Sequence, residues 1–270
     1  MKIAFIGGGV MAEAMISGLL KKGVATPAAI WASDISPARC TLLSERYGVS
    51  TTVNNREAAA SGETVVLAIK PQTLAEILAE LTGKLRPGQL ALSIVAGASL
   101  AALSRGLNHD WVVRAMPNMP AQIGEGISVW TATGTVTEAQ RQTAQAILGA
   151  LGREMYVPDE KLIDMATAVS GSGPAYIFLI IEALVDGAVR IGLPREMATE
   201  LVLDTVLGAA RFVQQSGRHP AELRNLVTSP GGTTAEGLLR LEEGNLRAVI
   251  AQAITAAYER ALTLKGAGGR

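Results

Sequence analysis

Cysteine is almost absent from this chain: Cys40 stands alone, so no internal disulfide can form and a reducing cytoplasm is the expected compartment. Histidine is nearly as scarce. With only His109 and His219 beside one thiol, a Cys/His metal cluster cannot be assembled, and no metal is expected. Aromatic residues fill 4% of 270 positions, so the core must be made of small aliphatic side chains in close contact. An excess of one charge is lacking too. The 24 basic residues balance the 24 acidic ones, which leaves no long-range field to draw in nucleic acid or an anionic membrane. Long apolar runs are short of the roughly 20 residues a bilayer requires; the stretch Ala175 to Val185 already contains Glu182. The run Ile3–Ile6 after Lys2 is interrupted by three glycines and then Glu13, unlike a secretory leader. The expected partners are small molecules and copies of the chain itself.

What the chain has in quantity is glycine, 29 residues, and 49% hydrophobic side chains. Up to Pro158 short β-rich runs alternate with helical patterns. Strands are predicted at 3–6, 30–33, 49–52, 64–68, 90–95, 111–115, 126–131 and 154–157, and helices at 11–22, 37–47, 73–81, 100–105 and 138–151. Gly23, Gly48 and Gly83 close the first three helices. This is the pattern of a Rossmann-type doubly wound α/β sheet. Beyond Pro158 the strand signal ends, and helices are predicted at 159–169, 174–191, 195–215, 220–227, 233–242 and 246–264. The expected organisation is therefore a dinucleotide-binding domain at 1–158 and an all-α domain at 159–270. Ile177, Phe178, Ile180, Ile181, Leu184 and Val185 clothe one helix on several sides, which calls for cover either inside one subunit or across a dimer interface, the interface being favoured for a domain of this size.

Gly7-Gly8-Gly9-Val10-Met11-Ala12 matches G-x-G-x-x-G/A directly after a predicted strand and before a predicted helix. Gly7 permits the tight turn, Gly9 lets backbone approach a pyrophosphate, and Ala12 lets the helix lie close to the sheet. The amides of Gly9, Val10 and Met11 then face the phosphates with the helix dipole behind them. At the end of the second strand, Asp34 suits a ribose 2′-hydroxyl and NADH, whereas Ser33, Ser36 and Arg39 suit a 2′-phosphate and NADPH. Both alternatives stand at this level. Ser36 is also the natural N-cap for a helix starting at Pro37. Later strands end at the same edge in Ala68-Ile69-Lys70-Pro71, in Ala96-Gly97 and in Asn118, whose amide suits a nicotinamide carboxamide. From the residues alone, the chain reads as a nicotinamide-dependent oxidoreductase with a helical partner domain.

Ser170-Gly171-Ser172-Gly173-Pro174-Ala175-Tyr176 and Thr228-Ser229-Pro230-Gly231-Gly232-Thr233-Thr234 resemble signatures of pyrroline-5-carboxylate reductase. The resemblance extends over nearly the whole chain and includes the glycine turn, Ala68–Pro71, Met116–Pro120 and Gly192-Leu193-Pro194. It implies reduction of 1-pyrroline-5-carboxylate to L-proline by hydride from NADPH or NADH, the final step of proline biosynthesis. It further implies a helical substrate-binding and dimerisation domain, in a homodimer that assembles into a higher oligomer of dimers. Ser229, Gly231, Gly232, Thr233 and Thr234 become the expected carboxylate site, with Thr234 beside the ring nitrogen as the catalytic position. Asn55, Ser33 and Lys70 become contacts to the adenosine end of the cofactor. A β-hydroxyacid dehydrogenase or imine reductase on the same plan, or a non-catalytic dinucleotide sensor, are the alternatives. The first of these usually carries a lysine in its helical domain, where residues 159–221 hold only Lys161.

Overall fold

Side-chain alternation with period two sets the architecture. In the computed structural model, which describes residues 1–267, strand β1 (Ile3–Ile6) sends Ile3 and Phe5 into one apolar layer and Ala4 and Ile6 into another, all fully buried. Residues 268–270, the end of the second predicted domain, lie outside the described residues. Helix α1 (Val10–Lys21) follows, then β2 (Ile30–Ser33), α2 (Pro37–Tyr47), β3 (Ser50–Thr52), α3 (Asn55–Ser61), β4 (Thr64–Leu67) and α4 (Leu74–Leu81). The chain continues through β5 (Leu90–Ser93), α5 (Leu100–Leu107), β6 (Val112–Met116), β7 (Gly126–Ala132), α6 (Glu138–Gly149) and β8 (Gly152–Tyr156). These strands form one eight-stranded sheet of order β3-β2-β1-β4-β5-β6-β7-β8.

Every neighbouring pair is parallel except β6 and β7. The exception follows from length. A parallel return needs a crossover of a dozen or more residues, and only a short 3₁₀ segment, Met119–Ile123, with Gly124 at φ 78°, joins these two strands. Met15, Ile16 and Leu19 of α1, Leu43 of α2 and Ile147 and Leu148 of α6 cover one face of the sheet. Ala58 and Ala59 of α3, Leu74, Leu78 and Leu81 of α4 and Leu103 and Leu107 of α5 cover the other. A doubly wound Rossmann-type sheet results, with its crossover reversal at β1, between β2 and β4.

Helices α7 (Lys161–Ala166), α8 (Gly173–Arg190), α9 (Arg195–Ser216), α10 (Pro220–Leu226), α11 (Thr233–Glu243) and α12 (Leu246–Ala267) complete the chain. A π turn, Thr167–Gly171, separates α7 from α8, where an unbroken helix to Val169 was expected; Ser172 N–H reaches Thr167 O at 2.8 Å. Contacts divide the chain into two units, one comprising residues 1–172 and the chain from residue 256 onward, the other residues 173–255. Within the second, α8 packs on α9 through a bend at Gly192 (φ 105°) that buries Val185 and Ala198. Other large apolar side chains there are open, among them Phe178 at 54%, Leu179 at 66% and Phe212 at 54% exposure. Residues 161–190 also form a helical run long and apolar enough, by length and composition, to cross a bilayer. This run is longer than the stretch 175–185 considered in the sequence.

Candidate active site

Because β1 to β6 run parallel, the segments after Ile6, Ser33, Thr52, Leu67, Ser93 and Met116 emerge at one edge of the sheet. The glycine turn occupies the crevice at the reversal. Gly7 adopts φ 94°, donates its N–H to Ser33 O at 2.9 Å, and leaves no room for a side chain: a Cβ there would stand 2.6 Å from the Ala68 carbonyl oxygen. Gly9 is the N-cap of α1 with no side chain bonding back to it, and a Cβ on it would meet nothing within 4 Å. The first helical bond runs from Glu13 N–H to Gly9 O, so the amides of Val10, Met11 and Ala12 have no acceptor inside the helix. An open cradle with free N–H groups at a helix start fits a pyrophosphate.

Arg39 braces this turn from α2. Its Nε donates to Gly8 O, its Nη2 to Gly9 O at 3.4 Å, and the same Nη2 pairs with Glu13 Oε2. Glu13 Oε1 accepts from Arg46 Nη1 at 2.9 Å and from the Tyr47 hydroxyl at 3.0 Å. Burial alone pushes the Glu13 carboxyl up, but the Arg39 and Tyr47 hydrogen bonds and the two guanidinium charges outweigh it and hold the group below the usual carboxylate range. Tyr47 is pushed above the usual phenol range by burial first and its bond to Glu13 second. A carboxylate depressed in the fold contributes stability that is fully present above its unfolded value, about 4.3, and is lost as pH falls through the folded value. Glu13→Gln should therefore melt below the parent protein at pH 7, and the two melting temperatures should converge as the buffer is taken below about pH 4. A constant difference across that range would show that the carboxylate's charge is not what stabilises the turn.

The other predicted cofactor residues divide by what their side chains already hold. Ser33 is fully buried, and its hydroxyl bonds Phe5 O at 3.2 Å and Asn55 Oδ1 at 2.8 Å. Asn55 opens α3, a helix absent from the sequence reading, and passes the bond on through Nδ2 to Glu80 Oε2 at 2.8 Å. Both side chains thus brace β2 against α3 and α4. Ala68 and Lys70 flank the crevice from β4, and the exposed Lys70 has no ion-pair partner among the described residues. Pro71 begins the 3₁₀ segment that leads to α4. Beyond Ala96, Gly97 (φ 76°) lies against the last helix, where a Cβ would come within 3.2 Å of Leu264. Asn118 Oδ1 accepts from Ile127 N–H at 2.9 Å, and among the described residues its amide N–H groups have no hydrogen-bond partner.

Two features escaped the sequence reading. Ile35 at 95% and Val53 at 61% exposure are apolar side chains left open after β2 and β3, and large aliphatics in otherwise polar loops are the signal that marks them. Arg114 on β6 is 2% exposed and forms a buried ion triad, Nη1 to Glu160 Oε1 at 2.7 Å and Nη2 to Asp164 Oδ1 at 2.6 Å. Glu160 Oε1 also accepts the Leu100 N–H at the start of α5. The triad thereby ties α5 and α7 to the strand that ends in Met116, whose side chain packs at 3.2 Å from where a Gly171 Cβ would be.

In the second unit, Ser229-Pro230-Gly231-Gly232 makes a type II turn, with proline at its second position, Gly231 at φ 67° at its third, and Gly232 N–H on Ser229 O at 3.0 Å. Gly232 caps α11 without side-chain help, and a Cβ on it would run into Ser229 Oγ. Glu236 N–H closes the first helical bond on Gly232 O, so the amides of Thr233, Thr234 and Ala235 have no intrahelical acceptor. Among the described residues no hydrogen bond engages the hydroxyls of Ser229, Thr233 or Thr234.

A doubly wound sheet whose glycine turn presents a bare helix start at the crossover reversal has the architecture of a dinucleotide-binding protein. Comparison with known proteins narrows the class. The family model described as pyrroline-5-carboxylate reductase dimerisation matches residues 160–264, and that of NADP oxidoreductase, coenzyme F420-dependent, matches residues 2–97. Pyrroline-5-carboxylate reductase of Synechocystis sp. is 44% identical over 97% of this chain and 98% of its own; that of Pseudomonas aeruginosa is 42% identical over 97% and 96%. The solved Coxiella burnetii pyrroline-5-carboxylate reductase superimposes with a TM-score of 0.89 at 39% identity, covering 97% of this chain and 98% of its own. The Plasmodium falciparum enzyme with NADP bound superimposes with a TM-score of 0.90 at 29% identity, covering 98% of each. The chain belongs to the pyrroline-5-carboxylate reductase family.

Proposed function

We propose that this chain reduces 1-pyrroline-5-carboxylate to L-proline with NADPH or NADH, the final step of proline biosynthesis. The observation that carries the reading is the pair of bare glycine-capped helix starts, α1 after Gly7–Gly9 and α11 after Gly231-Gly232, in a chain of this family. Gly7, Gly9 and the amides of Val10, Met11 and Ala12 hold the pyrophosphate. Lys70, Ala68 and Pro71 border it from β4, Ala96 and Gly97 from β5, and Asn118 offers its amide to the nicotinamide carboxamide. Ile35 and Val53 give the adenine an apolar seat. When bound, the reduced nicotinamide supplies the hydride that makes the new carbon–hydrogen bond of proline.

The substrate is a small ring with a carboxylate, so few anchors suffice. The amides of Thr233 and Thr234, with the positive end of the α11 dipole, bind the carboxylate without a cationic side chain. Ser229 adds a hydroxyl, and Gly231 and Gly232 keep the approach clear. Thr234 hydrogen-bonds the ring nitrogen and orients the imine carbon. A protonated imine is already electrophilic, so positioning accounts for much of the rate and the nitrogen's proton comes from solvent. Residues 1–158 serve the cofactor, and residues 159–270 serve the substrate and a homodimer that assembles further, in the cytoplasm. The open apolar faces of α8 and α9 support that role for the helical region.

Mixing the purified chain with reduced cofactor and 1-pyrroline-5-carboxylate should consume the nicotinamide absorbance and yield proline. Cofactor binding without substrate-dependent turnover would refute the reaction. Thr234→Ala should lower kcat by about ten- to a hundredfold while cofactor Kd stays nearly unchanged, as expected for a lost bond to the reacting ring. Equal losses in both would make Thr234 a structural residue of α11.

A further inference from the structure

The carboxyl end of β2 has a charge arrangement suited to one ribose and hostile to another. Asp34 Oδ2 accepts the Gly8 N–H and Oδ1 accepts the Ser36 N–H, each at 2.9 Å. Two backbone bonds hold the carboxylate in a single orientation. A carboxylate has about four acceptor sites, so half remain for the hydroxyls of a ribose diol. A 2′-phosphate would instead bring its own negative charge against Asp34 and would need a cation in compensation.

Among the described residues, the cation best placed for a 2′-phosphate is already engaged. Arg39 is the residue best placed on α2, but its side chain is only 22% exposed, and it is held by Gly8 O, Gly9 O and Glu13. Glu13 is in turn bonded by Arg46 and Tyr47, and both bonds oppose its swinging away from Arg39. Arg56, in α3, donates its Nε to Glu80 O at 3.3 Å. Lys70 stands at the end of β4, across β1 from the end of β2. The hydroxyl of Ser33 is buried and engaged.

We propose that this chain selects NADH over NADPH, with Asp34 reading the ribose hydroxyls and Glu13 withholding Arg39 from a 2′-phosphate. The proposal rests on the dinucleotide reading of the glycine turn. Among reductases that take either cofactor, selectivity here is a matter of which partner Arg39 already has. The sequence contains all three residues but not their pairing, which is why it supported both alternatives.

Equilibrium titration of the purified protein with NADH and with NADPH, followed by calorimetry without substrate, tests it. NADH should bind about tenfold or more tightly. The ratio should shrink as salt is added, because the repulsion is partly screened. Glu13→Gln and Asp34→Asn should each narrow the ratio by strengthening NADPH relative to NADH. Equal or tighter binding of NADPH by the parent protein overturns the proposal, as does an equal factor on both cofactors in both variants. Should a variant not fold, the parent ratio and its salt dependence decide. Failure of both cofactors to bind refutes the dinucleotide reading itself, and the selectivity with it.

Discussion

Arg114→Met should lower the free energy of unfolding by about 3–5 kcal/mol, the cost typical of removing one partner from a buried ion cluster. The loss arises from what is left behind. Asp164 is 2% exposed and Glu160 24%, so two carboxylates would face the interior without their guanidinium. Denaturant melts at fixed protein concentration would measure it. Asp164→Asn in the Arg114→Met background should recover part of the loss, because it removes one of the stranded charges. A double variant less stable than Arg114→Met would show that the charges are not the cause. Since Glu160 also receives the Leu100 N–H, the damage should extend to the start of α5.

Gly7→Ala and Gly9→Ala should separate folding from cofactor binding. At Gly7 the backbone lies at φ 94° and the new methyl would press on the Ala68 carbonyl, which β4 cannot move aside while Ala68 N–H is bonded to Ile6 O at 2.9 Å. Strain and clash together should cost about 2–4 kcal/mol of stability, and cofactor binding should fall by a hundredfold or more. At Gly9 the backbone, φ −65°, accepts alanine and the methyl meets no protein atom, so stability should stay within about 0.5 kcal/mol. The methyl instead enters the space above the bare amides and should weaken binding about as much as Gly7→Ala does. Unchanged cofactor affinity in Gly9→Ala would remove the pyrophosphate from this turn.

The sheet was legible because its signals are local. Most of the strands are short runs rich in aliphatic residues, β3 and β8 being more polar, and the glycines that follow the helices mark where the chain turns back. Helix α3 was not legible: Asn55–Ser61 is short, rich in alanine and polar residues, and has no apolar stripe. Its one signal is Asn54, whose side chain caps the N–H groups of Arg56 and Glu57. The π turn at Thr167–Gly171 has no sequence pattern of its own, since the same residues suit an ordinary helix. The site shows a similar division. Glycine positions were readable because backbone geometry demands them. The commitments of Ser33, Asn55, Arg39 and Arg114 were not, because each depends on partners brought close only by the strand order.

The close approach of Gly97 to Leu264 joins the loop after β5 to the last helix, with the whole second unit between them in the chain. During synthesis, the first strands and their helices can leave the ribosome and associate long before that helix exists. The loop bearing Ala96 and Gly97 stays uncovered until translation is nearly finished. A nascent chain halted anywhere within the helical half therefore has its sheet in place but lacks the packing of the last helix on the loop after β5.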